Sequence, residues 1–378
     1  MKNAHKEIRT NDYGLNLRML FYSSIFSKRR KSRVFLVPPA HPGNLGDMLC
    51  VAAALDLMQD CDPYILDLFS GLEPSMNDWS DFEDLNSATM HTIKEQMDGK
   101  KRAKVIYIAQ DSIDSRYGDF HLLRLAEVIT GLEQFGVDCD LIFWNATLSA
   151  NYPLSEVALK LLKKSHSIIY RDRESGEVLK SYKVRNTSQI FDLSSVYLLK
   201  EKIRHIDKRA TSGAIGLSMG HQILEHRQDI IQTYRELQLL PPNKLLNLDS
   251  RVYSFKETDI LTGLKIAETL GVSLNPKQPT SEIQFYADLQ SKLDSLKGVS
   301  LVQTSRYHVA IASLILEQPV DLFAYNKKFD VLFQIWTQSS HFHSGTISYS
   351  HIEPALTNPQ SLTHALDQWK MASKDLQR

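Results

Sequence analysis

Short, unbroken apolar runs alternate along this chain with segments whose apolar residues recur every three or four positions. Arg33–Pro38, Pro63–Leu68, Ala103–Ala109, Cys139–Phe143 and Ser167–Tyr170 predict buried strands. Between them, Asp47–Met58, Leu122–Phe135 and Ser155–Lys164 carry the helical period. Strands separated by helices imply a parallel sheet covered on both faces. The charged run Lys200–Arg209 reads as a linker, and a second series opens with the strand Gly213–Ser218. Helical patterns follow over Gln228–Leu237, Lys244–Leu248, Thr258–Leu270, Glu282–Leu296 and Arg306–Leu316, with strands at Val299–Gln303 and Val320–Tyr325. The prediction is an α/β protein of two Rossmann-like domains, residues 34–195 and 210–345, facing one cleft. A helical tail, 346–378, packs back on the first domain. Ligands are expected outside the carboxyl ends of the strands.

A length of 378 residues suits two cores rather than one. Acidic and basic residues balance at 44 each, so no global field recruits nucleic acid. Cys50, Cys61 and Cys139 have no metal-type spacing and cannot all pair, which fits a reducing cytoplasm. Residues 1–33 combine apolar Leu20, Phe21, Tyr22, Ile25 and Phe26 with a basic run from Lys28 to Arg33. Such a segment either packs on the domain as a helix with a solvated basic end, the favoured reading, or touches the anionic inner face of a membrane. It is too short and too interrupted to span one.

Candidate chemistry gathers at strand ends. The first strand breaks into His41-Pro-Gly-Asn44-Leu-Gly46-Asp47 before a helix, an arrangement that brings backbone N–H groups to a ligand. It lacks the Gly-Lys-Ser/Thr of a Walker loop and the G-x-G-x-x-G of a dinucleotide site. Asp47 is either a helix cap or a catalytic carboxylate. The strand ending at Gln303 leads to Thr304-Ser-Arg306-Tyr307-His308 at a helix start, where Arg306 would grip phosphate or carboxylate. His308 beside such an anion would protonate more readily and act as an acid. Arg171 ends another strand, and Asp172 reads as the cap of the next helix. Lys328 lies in a polar loop after the last strand. His221 follows the strand end Gly216–Gly220 and is expected to face the cleft as a substrate contact.

Taken in order, Asn44-Leu-Gly-Asp47, Arg171-Asp-Arg-Glu-Ser175 and Thr304-Ser-Arg-Tyr-His308 resemble the elements of the polysaccharide pyruvyltransferase family. The resemblance spans residues 34 to 340 and includes Pro319-Val320 and the Lys328 loop running to Trp336. It implies a GT-B-like fold and transfer of pyruvate from phosphoenolpyruvate onto a sugar of a surface polysaccharide or its precursor, as a cyclic ketal. Phosphoenolpyruvate would be a co-substrate, with no resident cofactor or metal. The resemblance assigns Arg306, Arg171, Lys328 and Tyr307 to the donor. It makes His308 the acid or base and Asp47 the group that orients an acceptor hydroxyl. Asn44, Gly46, His41 and His221 fall on the acceptor side, for a saccharide either free or lipid-linked. One element departs from the family: the turn after the third strand, Ala109-Gln-Asp-Ser-Ile113, has no glycine cluster.

Two other readings compete. A GT-B glycosyltransferase would use a nucleotide sugar, but the second domain shows no clear acidic ribose anchor. A catalytically silent relative would bind glycans or partners. His341-Phe-His343 with His351, and His221 with His226, have loose ligand-like spacings without the cysteines or carboxylates of a defined metal site.

Overall fold

The computed structural model describes residues 33–39, 44–61, 63–66, 68, 91, 93–97, 99–115, 118–204, 213–246, 248, 259–274, 285–357, 359–374 and 376. The basic segment expected before Arg33, and His41, lie outside these residues.

The first sheet contains β1 (Val34–Val37), β2 (Tyr64–Ile65), β3 (Arg102–Ile108), β4 (Asp138–Ala146), β5 (Ser167–Tyr170) and β6 (Thr187–Gln189). Its order is β2-β1-β3-β4-β5-β6, with every pairing parallel. The helices of this half are α1 (Leu45–Leu57), α2 (Phe120–Gln134), α3 (Glu156–Lys164), α4 (Arg173–Ser181) and α5 (Ser194–Arg204). The second sheet runs β11-β12-β10-β9-β7-β8. Its strands are β7 (Ile215–Ser218), β8 (Lys244–Leu245), β9 (Leu301–Thr304), β10 (Val320–Ala324), β11 (Trp336–Ser344) and β12 (Ile347–Thr357). The first four are parallel, and the β11–β12 hairpin adds antiparallel to β10. Its helices are α6 (Arg227–Glu236), α7 (Asp259–Thr269), α8 (Phe285–Lys297), α9 (Tyr307–Ile315) and α10 (Pro359–Lys374).

Both parallel sheets therefore reverse direction of growth at their first strand, between β1 and β3 and between β7 and β9. Crevices at such switch points are where α/β proteins take ligands. The strands there are apolar throughout because both faces are covered: all four residues of β1 are buried.

Three expectations are corrected. Lys244–Leu248 opens as the short strand β8 rather than a helix. The charged run from Lys200 continues α5 as far as Arg204 instead of forming a linker from its start. The boundary at 345/346 falls inside the β11–β12 hairpin, so the tail is first a strand of the second sheet and a helix only from Pro359. The hairpin escaped because His341, His343, Ser348, Ser350 and His351 interrupt the apolar run expected of a buried strand, although Ile347, Tyr349 and Ile352 are buried. The turn after β3 manages without glycine because Gln110 itself takes a left-handed backbone, φ 46°.

One hydrophobic core runs through both halves. It joins α1 and α5 to α8, α9 and α10. α10 lies against the first domain: Trp369 meets Trp144 edge to face at 5.4 Å and donates its indole N–H to the Phe191 carbonyl at 2.8 Å. Among the described residues, no helix is long and apolar enough to cross a membrane.

Candidate active site

The chain after β1 turns into α1 because the Asn44 side chain accepts the Gly46 N–H at 2.9 Å. Asn44 is thus the cap, and Asp47 lies buried in the first turn, where a carboxylate complements the helix dipole. Residues 45 to 54 are all buried, so α1 is apolar on every side and packed from both domains. That packing brings its first turn against α9. A Cβ on residue 46 would lie 2.1 Å from Nδ1 of His308 and 2.4 Å from its Cγ, so only glycine seats the imidazole there.

α9 begins where β9 ends. Thr304 Oγ1 accepts the Arg306 N–H at 2.9 Å and donates to the Ser218 carbonyl at 2.7 Å, tying the ends of β9 and β7 together. Ser305 Oγ accepts the Gly220 N–H at 2.9 Å. Arg306 crosses Gly220 so closely that a Cβ there would meet its Nε at 3.2 Å. Both second-sheet switch-point loops thus hold the Arg306 side chain. His221 starts a short 3-10 helix directly after Gly220, and its side chain lies outside the described residues.

The centre of the site is a buried ion cluster that spans the two domains. Arg171, at the end of β5, donates from Nη1 to Asp192 Oδ2 at 2.7 Å. The same nitrogen lies 3.2 Å from His308 Nε2, and Asp192 Oδ2 lies 3.3 Å from that ring nitrogen. The Tyr307 ring supports the guanidinium from below, 4.6 Å from centroid to Cζ. Asp192 is fully buried, and its other oxygen accepts the Ser194 N–H and hydroxyl at 2.9 and 2.6 Å. Asn145, held in a left-handed backbone (φ 59°), completes the carboxylate's surroundings. Its amide points to Asp192 Oδ2 at 3.3 Å, and its carbonyl accepts the Leu193 N–H at 3.0 Å.

Burial works to raise Asp192, but His308 when protonated, the Arg171 guanidinium and the Ser194 bonds outweigh it and hold the carboxyl well below the usual carboxylate range. His308 moves the other way. Burial, joined by the positive charges of Arg171 and Lys328, pulls it below the ordinary histidine value despite Asp192. The free protein therefore carries a neutral His308 beside an ionised Asp192. Lys328 sits 5.6 Å from the Tyr325 and Phe329 ring centroids, and its charge adds to the lowering of His308.

The two neighbours of Nε2 respond to opposite protonation states. Arg171 has only donors, so it bonds Nε2 when that nitrogen offers a lone pair. Asp192 accepts only, so it bonds Nε2 when that nitrogen carries a proton.

Asp172 is a cap: its carboxylate accepts the Ser175 N–H at 2.8 Å and the Ser175 hydroxyl at 2.8 and 2.9 Å. Asp192, Asn145 and Cys50 were not among the residues singled out from sequence. The signal for Asp192 was present as Asp192-Leu-Ser194, a helix-start pattern whose second oxygen turns out to face the site. Cys50 Sγ, a carboxylate oxygen of Asp192 and a ring nitrogen of His308 lie within 4.8 Å of one another, as metal ligands do. Arg171 already occupies the cation's place there. Burial, then the Asp192 charge, also pushes the Cys50 thiol well up and keeps its proton on.

Two sheets whose switch points converge, joined by a buried Arg–Asp–His cluster with a second arginine beside it, define a two-domain α/β protein of GT-B-like plan. The polysaccharide pyruvyl transferase family model matches residues 44–327. The chain belongs to that family and is a transferase. A search of curated protein sequences finds no significant match. Among solved structures, the chain is similar to an uncharacterised Klebsiella pneumoniae protein at 12% identity and TM-score 0.41, covering 88% of this chain and 94% of that one. It is similar to UDP-GlcNAc 2-epimerase from Methanocaldococcus jannaschii at 12% identity and TM-score 0.46, covering 88% and 91%. Anabaena HepE, solved with UDP and glucose, matches at 13% identity and TM-score 0.41, covering 77% and 80%.

Proposed function

We propose that this transferase moves pyruvate from phosphoenolpyruvate onto two hydroxyls of a saccharide, free or lipid-linked, forming a ketal and releasing phosphate in the cytoplasm. The observation that carries this reading is the bracketing of His308 Nε2 by Arg171 and Asp192, next to Arg306 at the α9 N-terminus. A donor bearing a phosphate and a carboxylate needs several cations, and Arg306, Arg171 and Lys328 provide them. Binding that anion offsets the positive charge that keeps His308 neutral. His308 then gains a proton, turns its Nε2–H toward Asp192, and becomes the acid that protonates the donor methylene carbon. One acceptor oxygen bonds to the neighbouring carbon, the carbon–oxygen bond to phosphate breaks, and the second acceptor oxygen closes the ring. Of the two hydroxyl protons lost, one balances that gained by carbon and one leaves with phosphate. In this reading Asp47 orients an acceptor hydroxyl. Asn44 and Gly46 act by shaping the turn, with His41 and His221 as acceptor contacts. Tyr307 serves the donor indirectly, as the platform under Arg171.

The test is phosphate release from phosphoenolpyruvate across a panel of saccharide acceptors, with the pyruvylated product identified by mass spectrometry. Arg306→Ala and His308→Ala are expected to lose turnover by about 10²–10⁴-fold while keeping wild-type circular dichroism. Thermal stabilisation by nucleotide sugars but not by phosphoenolpyruvate would favour the glycosyltransferase alternative instead.

A further inference from the structure

The hairpin edge of the second sheet carries histidines that the pyruvyl-transfer reading leaves unused. His341 and His343 are two apart on β11 and so share one face of the strand. Their Nε2 atoms are 2.9 Å apart, with ring planes at 88°. Each Nδ1 is held by a serine hydroxyl on β12, His341 by Ser350 and His343 by Ser348, both at 2.8 Å. Strand register sets this up, because His341 pairs with Ser350 and His343 with Ser348. Both rings line a cavity of about 420 Å³ at the carboxyl end of β10, together with Asn326, Lys327, Asp330 and Ser348.

A contact between two Nε2 atoms needs one N–H directed at the other's lone pair, so at least one of the two rings is neutral. Two imidazoles with convergent Nε2 atoms and anchored Nδ1 atoms match the way proteins present histidine to a metal. The serines also permit it. A hydroxyl both donates and accepts, so each ring can hold its proton on Nδ1 and free Nε2 without turning.

We propose that His341 and His343 form a binding site for a borderline divalent metal ion, Zn²⁺, Ni²⁺ or Cu²⁺, with its remaining coordination positions open to the cavity. Imidazole donors select these ions over Mg²⁺ and Ca²⁺, which take oxygen ligands. The Asp330 carboxylate on the cavity wall adds favourable charge, opposed by Lys327.

Metal-stripped full-length protein without a histidine tag would be titrated with ZnCl₂ by isothermal titration calorimetry. One ion per chain is expected, with no heat from MgCl₂. His341→Ala and His343→Ala should each weaken binding at least about tenfold, and the double variant should abolish it. Ser348→Ala, which removes only the anchor of His343, should weaken it about tenfold. His91→Ala, at an exposed histidine that pairs with Glu95, serves as the control and should leave it unchanged. Circular dichroism establishes that the variants fold. Absence of one-to-one binding in the parent protein overturns the proposal. So does binding retained by the double variant, which would point to the Cys50–Asp192–His308 cluster instead.

Discussion

His308 sits between a group that stabilises its neutral form and one that stabilises its charged form. The free state is neutral, so binding a polyanionic donor should draw one proton from solution. Calorimetry of phosphoenolpyruvate binding in buffers of different ionisation heat would detect that uptake, which His308→Gln should lose; zero uptake by the parent protein would rule out the acid role. Asp192→Asn leaves Arg171 buried without its counter-charge, a loss of about 3–5 kcal/mol by urea denaturation. The sign with pH follows from its depressed folded value. Asp192 contributes stability above its unfolded value of about 3.9, lost as pH falls through the lower folded value. Gly46→Ala drives a methyl group into the imidazole. Turnover should collapse while Asp192 and Arg171 stay paired, which a crystal structure of the variant would show. Arg171, Arg306 and His308 were legible in the sequence because each follows a buried apolar strand. Asp192 and Asn145 were not, since neither lies in a pattern that marks chemistry and both join the site only through the fold.

Among the elements, α1 and α9 were readable as helices from their apolar period, and the structure buries both almost throughout. What the pattern did not show was that each buries against the other. The β11–β12 hairpin was unreadable because its polar face gives no clean alternation. It nevertheless carries a pH-sensitive tie: His351 on β12 bonds Asp321 on β10 at 2.7 Å and Glu353 at 2.9 Å. Chiefly through the Asp321 bond, its value rises to about 9. A histidine raised above its unfolded value of about 6.5 stabilises the fold fully below that pH and ceases to do so as pH rises through about 9. Chemical denaturation between pH 6 and 10 should show this loss, and His351→Gln should flatten it.

For the molecule as a whole, the shared core decides behaviour. Helices α1 and α5 of one half and α8 and α9 of the other bury the same cluster, and α10 closes it from the end of the chain. The two halves should therefore unfold together. Fluorescence and circular dichroism melts should coincide in one transition, whereas two separated transitions would show independent domains. Trp369→Ala, which empties the space against Trp144 and loses the bond to the Phe191 carbonyl, should cost about 3–5 kcal/mol.

Local chemistry in the sequence determined the strands, the capped helices, the two-domain α/β plan and the family motifs, because periodicity and caps act over a few residues. The turn at Asn44–Asp47 was visible there as a strand–turn–helix junction, and its glycine as a place of close approach. Only the tertiary structure decided what approaches. His308 comes from 262 positions further along the chain, and neither periodicity nor capping specifies a partner at that distance. The same holds for the carboxylate that completes the site: Asp192 becomes part of it only when two sheets bring their switch points together across one core.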